Sequence, residues 1–85
     1  MARYKLFFKK SVAKDLRTLP AKDVRKILQR IEELTQNPRG AGSKKLSAKD
    51  FYRVRQGVYR ILYEIVDEQL IIQVIKVAHR SKSYR

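Results

Sequence analysis

The sequence predicts an α+β domain: a two-helix hairpin packed on one face of a mainly antiparallel four-stranded sheet, in the order β-α-α-β-β-β. Three observations predict it. Apolar residues recur at helical spacing through residues 12–34, while residues 51–77 alternate in the manner of strands broken by short turns. A first alternating run, "RYKLFF", precedes the helices. Helices that arrive together, followed by consecutive strands, belong to a sheet with its helices segregated to one side.

Each element has its own local cause. Residues 3–8 are aromatic-rich and alternate, which suits a strand. Ser11 is placed to accept a hydrogen bond from the free amides of the next turn, as an N-cap does. Val12, Leu16 and Leu19 then follow at i, i+4 and i+7 on one helical face. Pro20, with its fixed φ and no amide hydrogen, stops that helix and opens another. In the second helix Val24, Ile27, Leu28, Ile31 and Leu34 form a stripe, and Lys22, Arg25, Lys26 and Arg30 take the remaining face. Pro38 ends it by pushing Asn37 out of the α region. Residues 37–50, "NPRGAGSKKLSAKD", read as a loop. Strands come next at about 51–56, 58–66 and 70–77, with Gly57 making one tight connection and Asp67, Glu68 and Gln69 the other.

With 85 residues the chain makes one domain, residues 1–85. Such a chain hides only about 60% of the surface its unfolded form exposes, so its core is thin. Its 44% hydrophobic content still suffices for one sheet on two helices. The charge is more telling: 21 Lys and Arg against 8 Asp and Glu, a net +13. An excess of that size repels itself and favours a polyanionic partner, nucleic acid first. There is no cysteine, and the lone His79 cannot build a metal cluster, so thiolate chemistry is excluded and no cofactor is expected. No apolar run approaches the roughly 20 residues that span a bilayer. The chain reads as cytoplasmic, with no membrane partner.

The stretch "FYRVRQGVYRILYEI" concentrates the charge. Residues two apart on a strand share a face, so Arg53 and Arg55 lie opposite Tyr52 and Val54. On the next strand Tyr59, Ile61, Tyr63 and Ile65 form one apolar row, and Arg60 falls on the other with Val58, Leu62 and Glu64. Pairing the two strands brings Arg53, Arg55 and Arg60 together on the face the helices leave bare. They are either solvated surface charges or a guanidinium platform for phosphate, which the planar fork of arginine suits. The last strand, "LIIQVIKV", is apolar on both rows, and it delivers His79, Arg80 and Tyr84 to the sheet end, within reach of the platform. Lys44, Lys45 and Lys49 of the loop, with Lys76 and Lys82, are candidate contacts to an RNA backbone.

From "NPRGAGSKKL" through "FYRVRQGVYRILYEIVDEQLIIQVIKVAHRSKSY" the chain resembles the RelE toxins of bacterial and archaeal toxin–antitoxin systems, within the RelE/ParE superfamily. The resemblance implies a small basic endoribonuclease that enters the vacant decoding site of the ribosome and cuts messenger RNA there, without metal. It also implies a cognate acidic, RelB-like antitoxin that masks the toxin in a hetero-oligomer. Carried over position by position, the family's catalytic residues match Arg53 and Arg55, then Arg60, Arg80 and the C-terminal Tyr84. Some members carry lysines where Arg53 and Arg55 stand, Ala78 replaces a common glycine, and the chain ends one residue after Tyr84, where some members continue into a helix.

Metal-independent cleavage uses the ribose 2′-hydroxyl as nucleophile. It needs a base, charge stabilisation at phosphorus and an acid for the leaving oxygen. Arginines serve the second need. They are poor bases, so His79 is the substitute the sequence offers, with Glu64 an alternative. Two other readings share the features: a ParE-like toxin that poisons DNA gyrase without being a nuclease, and a non-enzymatic RNA-binding module on the same basic face.

Overall fold

The computed structural model describes residues 3–46 and 50–81. In chain order the elements are β1 (Lys5–Phe8), α1 (Lys10–Arg17), α2 (Ala21–Leu34), β2 (Lys44–Lys45), β3 (Phe51–Gln56), β4 (Tyr59–Val66) and β5 (Ile71–His79), with a 3-10 turn at Asp67–Gln69 between the last two. The strands form one sheet in the order β1-β5-β4-β3-β2. Among the described strands only β1 runs parallel to its neighbour; the β5–β4, β4–β3 and β3–β2 pairs are antiparallel. The α+β class and the mainly antiparallel sheet are therefore as expected, with one strand more than the four anticipated. The extra strand is Lys44–Lys45, inside what the sequence presents as loop, and two lysines carry no alternation to announce it.

The helices form as their stripes dictate. Ile27, Ile31 and Leu34 of α2 and Val12 of α1 are fully or almost fully buried. They pack on one face of the sheet, against Tyr52 and Val54 of β3, Tyr59, Ile61, Tyr63 and Ile65 of β4, and Ile72, Val74 and Val77 of β5. The start of α1 differs from expectation. Lys9 occupies the N-cap with no side-chain hydrogen bond, and Ser11 lies inside the helix, exposed. Pro20, at φ −59° and ψ 143°, is the N-cap of α2, and Asp23 in the first turn complements the helix dipole. No helix among the described residues is long and apolar enough to cross a membrane.

A tight turn and a register slip determine which side chains share a face of the sheet. The β3–β4 hairpin closes over Gly57 and Val58, with Gln56 paired to Tyr59 and Gly57 at φ +60°, a conformation that costs glycine nothing. In β5 the register slips. Leu62 faces Lys76 while Tyr63 faces Val74, so Ile75 is an extra residue, a β-bulge. Every side chain beyond Ile75 thereby changes face relative to a regular strand.

Candidate nucleic-acid interface

The two antiparallel registers build the platform. Arg55 pairs with Arg60, and Arg60 with Ala78, giving one row across β3, β4 and β5. The next row runs Lys44, Arg53, Leu62 and Lys76. Directly opposed side chains have Cβ atoms about 5 Å apart, and Arg53 and Arg55 stand about 7 Å apart along one strand. Arg53, Arg55, Arg60 and Lys44 thus share the face that the helices leave bare. Beside them a cavity of about 390 Å³ is lined by Gly42, Ser43, Lys44, Arg53 and Arg55.

Placement of the acidic residues leaves this region positive. Asp15 lies on α1, where it accepts the Val77 amide at 3.3 Å. Asp23 on α2 accepts the Tyr59 hydroxyl at 2.7 Å. Glu32 and Glu33 on α2 pair with Arg3 and Arg30. Asp67 is held by Arg39 at the opposite end of β4 from the Gly57 turn. Among the described residues no acidic side chain forms an ion pair with Arg53, Arg55 or Lys44. Glu64 does occupy the open face, opposite Phe51 and Gln73. It stands four residues along β4 from Arg60, about 13 Å at roughly 3.3 Å per residue, too far to take a proton at a phosphate bound there.

The platform is braced from the loop between α2 and β2. Arg30 donates from one guanidinium nitrogen to the Ala41 carbonyl at 2.8 Å and from the other to Glu33 at 3.1 Å. Gly42 follows at φ +89°, and a Cβ there would stand 3.0 Å from Arg30, so the turn that presents Ser43 and Lys44 requires glycine. Farther back, Arg39 grips Asp67 through two hydrogen bonds, at 3.1 and 2.7 Å, and donates to the Tyr52 hydroxyl at 3.0 Å. Tyr4 adds a bond to Asp67 at 2.7 Å. The Arg39 guanidinium and the Tyr4 hydroxyl together hold the Asp67 carboxyl down at about 2. Beneath, the buried Tyr63 hydroxyl donates to the Pro38 carbonyl at 2.6 Å, and burial pushes its own pKa up to about 12. Gly42, Ser43, Arg30 and Arg39 are not apparent as site or support from the sequence alone. Its one signal is a Gly-Ser pair just ahead of the two lysines.

The remaining candidates divide. Arg80 is exposed, and its amide donates to the Val58 carbonyl at 2.7 Å. Residue 80 therefore lies beside the hairpin turn, two residues past Ala78 and its Arg60 partner. Lys45 pairs with Tyr52, on the alternate register to Lys44. Lys76 pairs with Leu62 at the bulge, but its ammonium lies 3.9 Å from Asp15 on α1, drawn to the edge of the sheet and off the platform. His79 is a correction. It pairs with Tyr59 on the helix-covered face, where its ring meets the Tyr59 ring edge-on at 5.8 Å. The bulge at Ile75 is the cause, because regular alternation from Ile72 would bring His79 to the arginine side. Lys49, Lys82 and Tyr84 lie outside the described residues.

Such a surface can grip a phosphodiester with several fixed guanidiniums and a lysine while a loop backbone walls one side. Comparison with known proteins gives this geometry a lineage. Residues 6–84 match the family described as the ParE toxin of the type II toxin–antitoxin system parDE. The protein named toxin RelE1 of Methanocaldococcus jannaschii is 35% identical over 80 residues, covering 89% of this chain and 89% of that protein. The mRNA interferase toxin RelE of Escherichia coli is 28% identical over 82 residues, covering 94% of this chain and 86% of its own length. Among solved structures, the toxin chain of the archaeal RelE–RelB complex from Pyrococcus horikoshii superposes with a TM-score of 0.81 at 26% identity, covering 98% of this chain and 100% of that one. With arginines on the bare sheet face, two helices covering the other, and sequence kinship across nearly its whole length, the chain belongs to the RelE toxin family of the RelE/ParE superfamily of toxin–antitoxin proteins.

Proposed function

We propose that the protein is the toxin of a type II toxin–antitoxin system and acts as a ribosome-dependent, metal-independent messenger-RNA endoribonuclease. The observation that carries this reading is the Arg55–Arg60 pair, with Arg53 and Lys44 alongside, on the sheet face that the helices leave uncovered. The ribose 2′-oxygen attacks the adjacent phosphorus as its proton passes to water. The phosphorus–5′-oxygen bond breaks, the leaving 5′-oxygen takes a proton from water, and a 2′,3′-cyclic phosphate and a 5′-hydroxyl result. Arg55 and Arg60 stabilise the charge that builds on the phosphoryl oxygens, Arg80 joins them from the end of β5, and Arg53 and Lys44 hold the neighbouring backbone. Tyr84 is assigned to stack on a base or to orient the nucleophile. An arginine set without a strong base fits an enzyme that leaves alignment of the reacting atoms to the ribosome. An E. coli relative bears the name mRNA interferase, and this supports the assignment.

The masking partner is an acidic, RelB-like antitoxin. The Pyrococcus relative was solved as a complex with RelB, and a net +13 surface attracts an acidic chain. A second reading, a gyrase-poisoning toxin of the ParE kind, draws on the description of the matching family. Mapping message 5′ ends after induction separates the two. Cuts inside translated codons, absent in Arg80→Ala and suppressed by the antitoxin, are the expected result. Intact message with DNA breaks in their place establishes the gyrase reading. Purified toxin should cut ribosome-bound message well and naked RNA poorly; equal cleavage of both would overturn the dependence on the ribosome.

A further inference from the structure

His79 leaves the platform, yet its ring is tied to the chain that carries Arg80. Its Nδ1 accepts the backbone N–H of Ser81 at 3.1 Å and lies 2.9 Å from the Ser81 hydroxyl. A ring nitrogen that accepts an N–H carries no proton, so the neutral imidazole holds its hydrogen on Nε2. In that form the Nδ1 lone pair is engaged by the Ser81 amide. What the ring does provide is a side-chain acceptor for the amide two residues on, the same closure that asparagine makes in an Asx-turn. The amide of Arg80 is meanwhile bonded to Val58. Residue 80 thereby sits between two backbone amides with fixed partners, its own bonded to Val58 of the β3–β4 hairpin and that of Ser81 bonded to the His79 ring, while the edge-on contact with Tyr59 orients that ring.

We infer that His79 is a positioning residue: its Nδ1, accepting from the Ser81 amide, bends the chain at the end of β5 and aims Arg80 toward the Arg55–Arg60 pair. The kinetic consequence rests on the nuclease reading; the structural one does not. His79→Asn supplies an oxygen at the right reach for the same i to i+2 bond, whereas His79→Gln is one carbon too long. The test combines amide exchange at Ser81, the 15N signals of the His79 ring, and single-turnover cleavage of ribosome-bound message. The Ser81 amide should be protected in the wild type and in His79→Asn and exchange freely in His79→Gln, with the wild-type ring protonated on Nε2.

Cleavage by His79→Asn should stay within about threefold of wild type. His79→Gln should fall by about 10²-fold, the scale of a misplacement near 1 Å. In an Arg80→Ala background the His79→Gln change should add nothing, because its effect passes through the missing group. The inference is overturned if Ser81 exchanges alike in all variants, if His79→Asn loses as much activity as His79→Gln, or if His79→Gln costs as much without Arg80 as with it. If the exchange pattern holds while no variant, wild type included, cleaves message, the nuclease reading falls and the positioning of residue 80 stands.

Discussion

Single side chains here do one of two jobs, and substitution separates them. Arg55 and Arg60 face each other across β3 and β4 without belonging to the core. Alanine at either should lower the single-turnover rate on ribosome-bound message by about 10²- to 10³-fold, roughly 3–4 kcal/mol of transition-state stabilisation, and Arg55→Ala, at an exposed position, should leave the melting temperature within a few degrees. Tyr63 is the opposite case. Its hydroxyl satisfies the buried Pro38 carbonyl, so Tyr63→Phe leaves an acceptor unpaired in the interior. Such an orphan costs about 1–3 kcal/mol, and a domain of this size should then melt several degrees lower. Calorimetry of Tyr63→Phe checks this, and catalysis per folded molecule should change little.

At the scale of elements, the structure depends on joins the sequence does not announce. The Arg39–Asp67–Tyr4 cluster ties the α2–β2 loop to the β4–β5 turn and to the start of β1. Asp67 ionises well below its ordinary value of 3.8, at about 2, first because of Arg39 and then because of Tyr4. A depressed carboxylate pKa makes folding more favourable above the unfolded value, and that contribution is lost as pH falls through the folded one. Wild-type melting temperature should therefore drop between about pH 4 and pH 2, and Asp67→Asn should flatten that limb while melting lower at neutral pH. Thermal melts across pH 2–7 decide it. The bulge at Ile75 shows why sequence reading stopped short at this scale. Ile71, Ile72, Val74, Ile75 and Val77 are apolar on both sides, so the pattern carries no phase, and the register with β4 alone sets the face of His79.

The whole molecule is an asymmetric charge carrier. Its described acidic groups lie chiefly on the helices and in the β4–β5 turn, and Lys44, Arg53, Arg55 and Arg60 gather at the other end of the bare sheet face. Binding to single-stranded RNA should weaken with salt in proportion to the phosphates neutralised. Four such contacts imply a slope of log K against log salt near −3, at about −0.7 per contact. Arg53→Ala with Arg55→Ala should reduce its magnitude by about 1.4. Lys22→Glu on the helix face should leave the slope nearly unchanged. Fluorescence titration over a salt series measures both.

Composition and periodicity by themselves determined the class of fold, the two helices, the β3–β4–β5 meander, the basic character and the face on which Arg53, Arg55 and Arg60 stand. These come from local rules, 3.6-residue and 2-residue repeats and turn residues, that act between neighbours in the chain. The parallel pairing of β1 with β5, the strand at Lys44–Lys45, the capture of Asp67 by Arg39 and the turning of His79 under the sheet were decided only in three dimensions. Each depends on partners far apart in sequence, and for His79 on one extra residue in a strand whose two faces are equally apolar. Register, which no local pattern encodes there, chose between them.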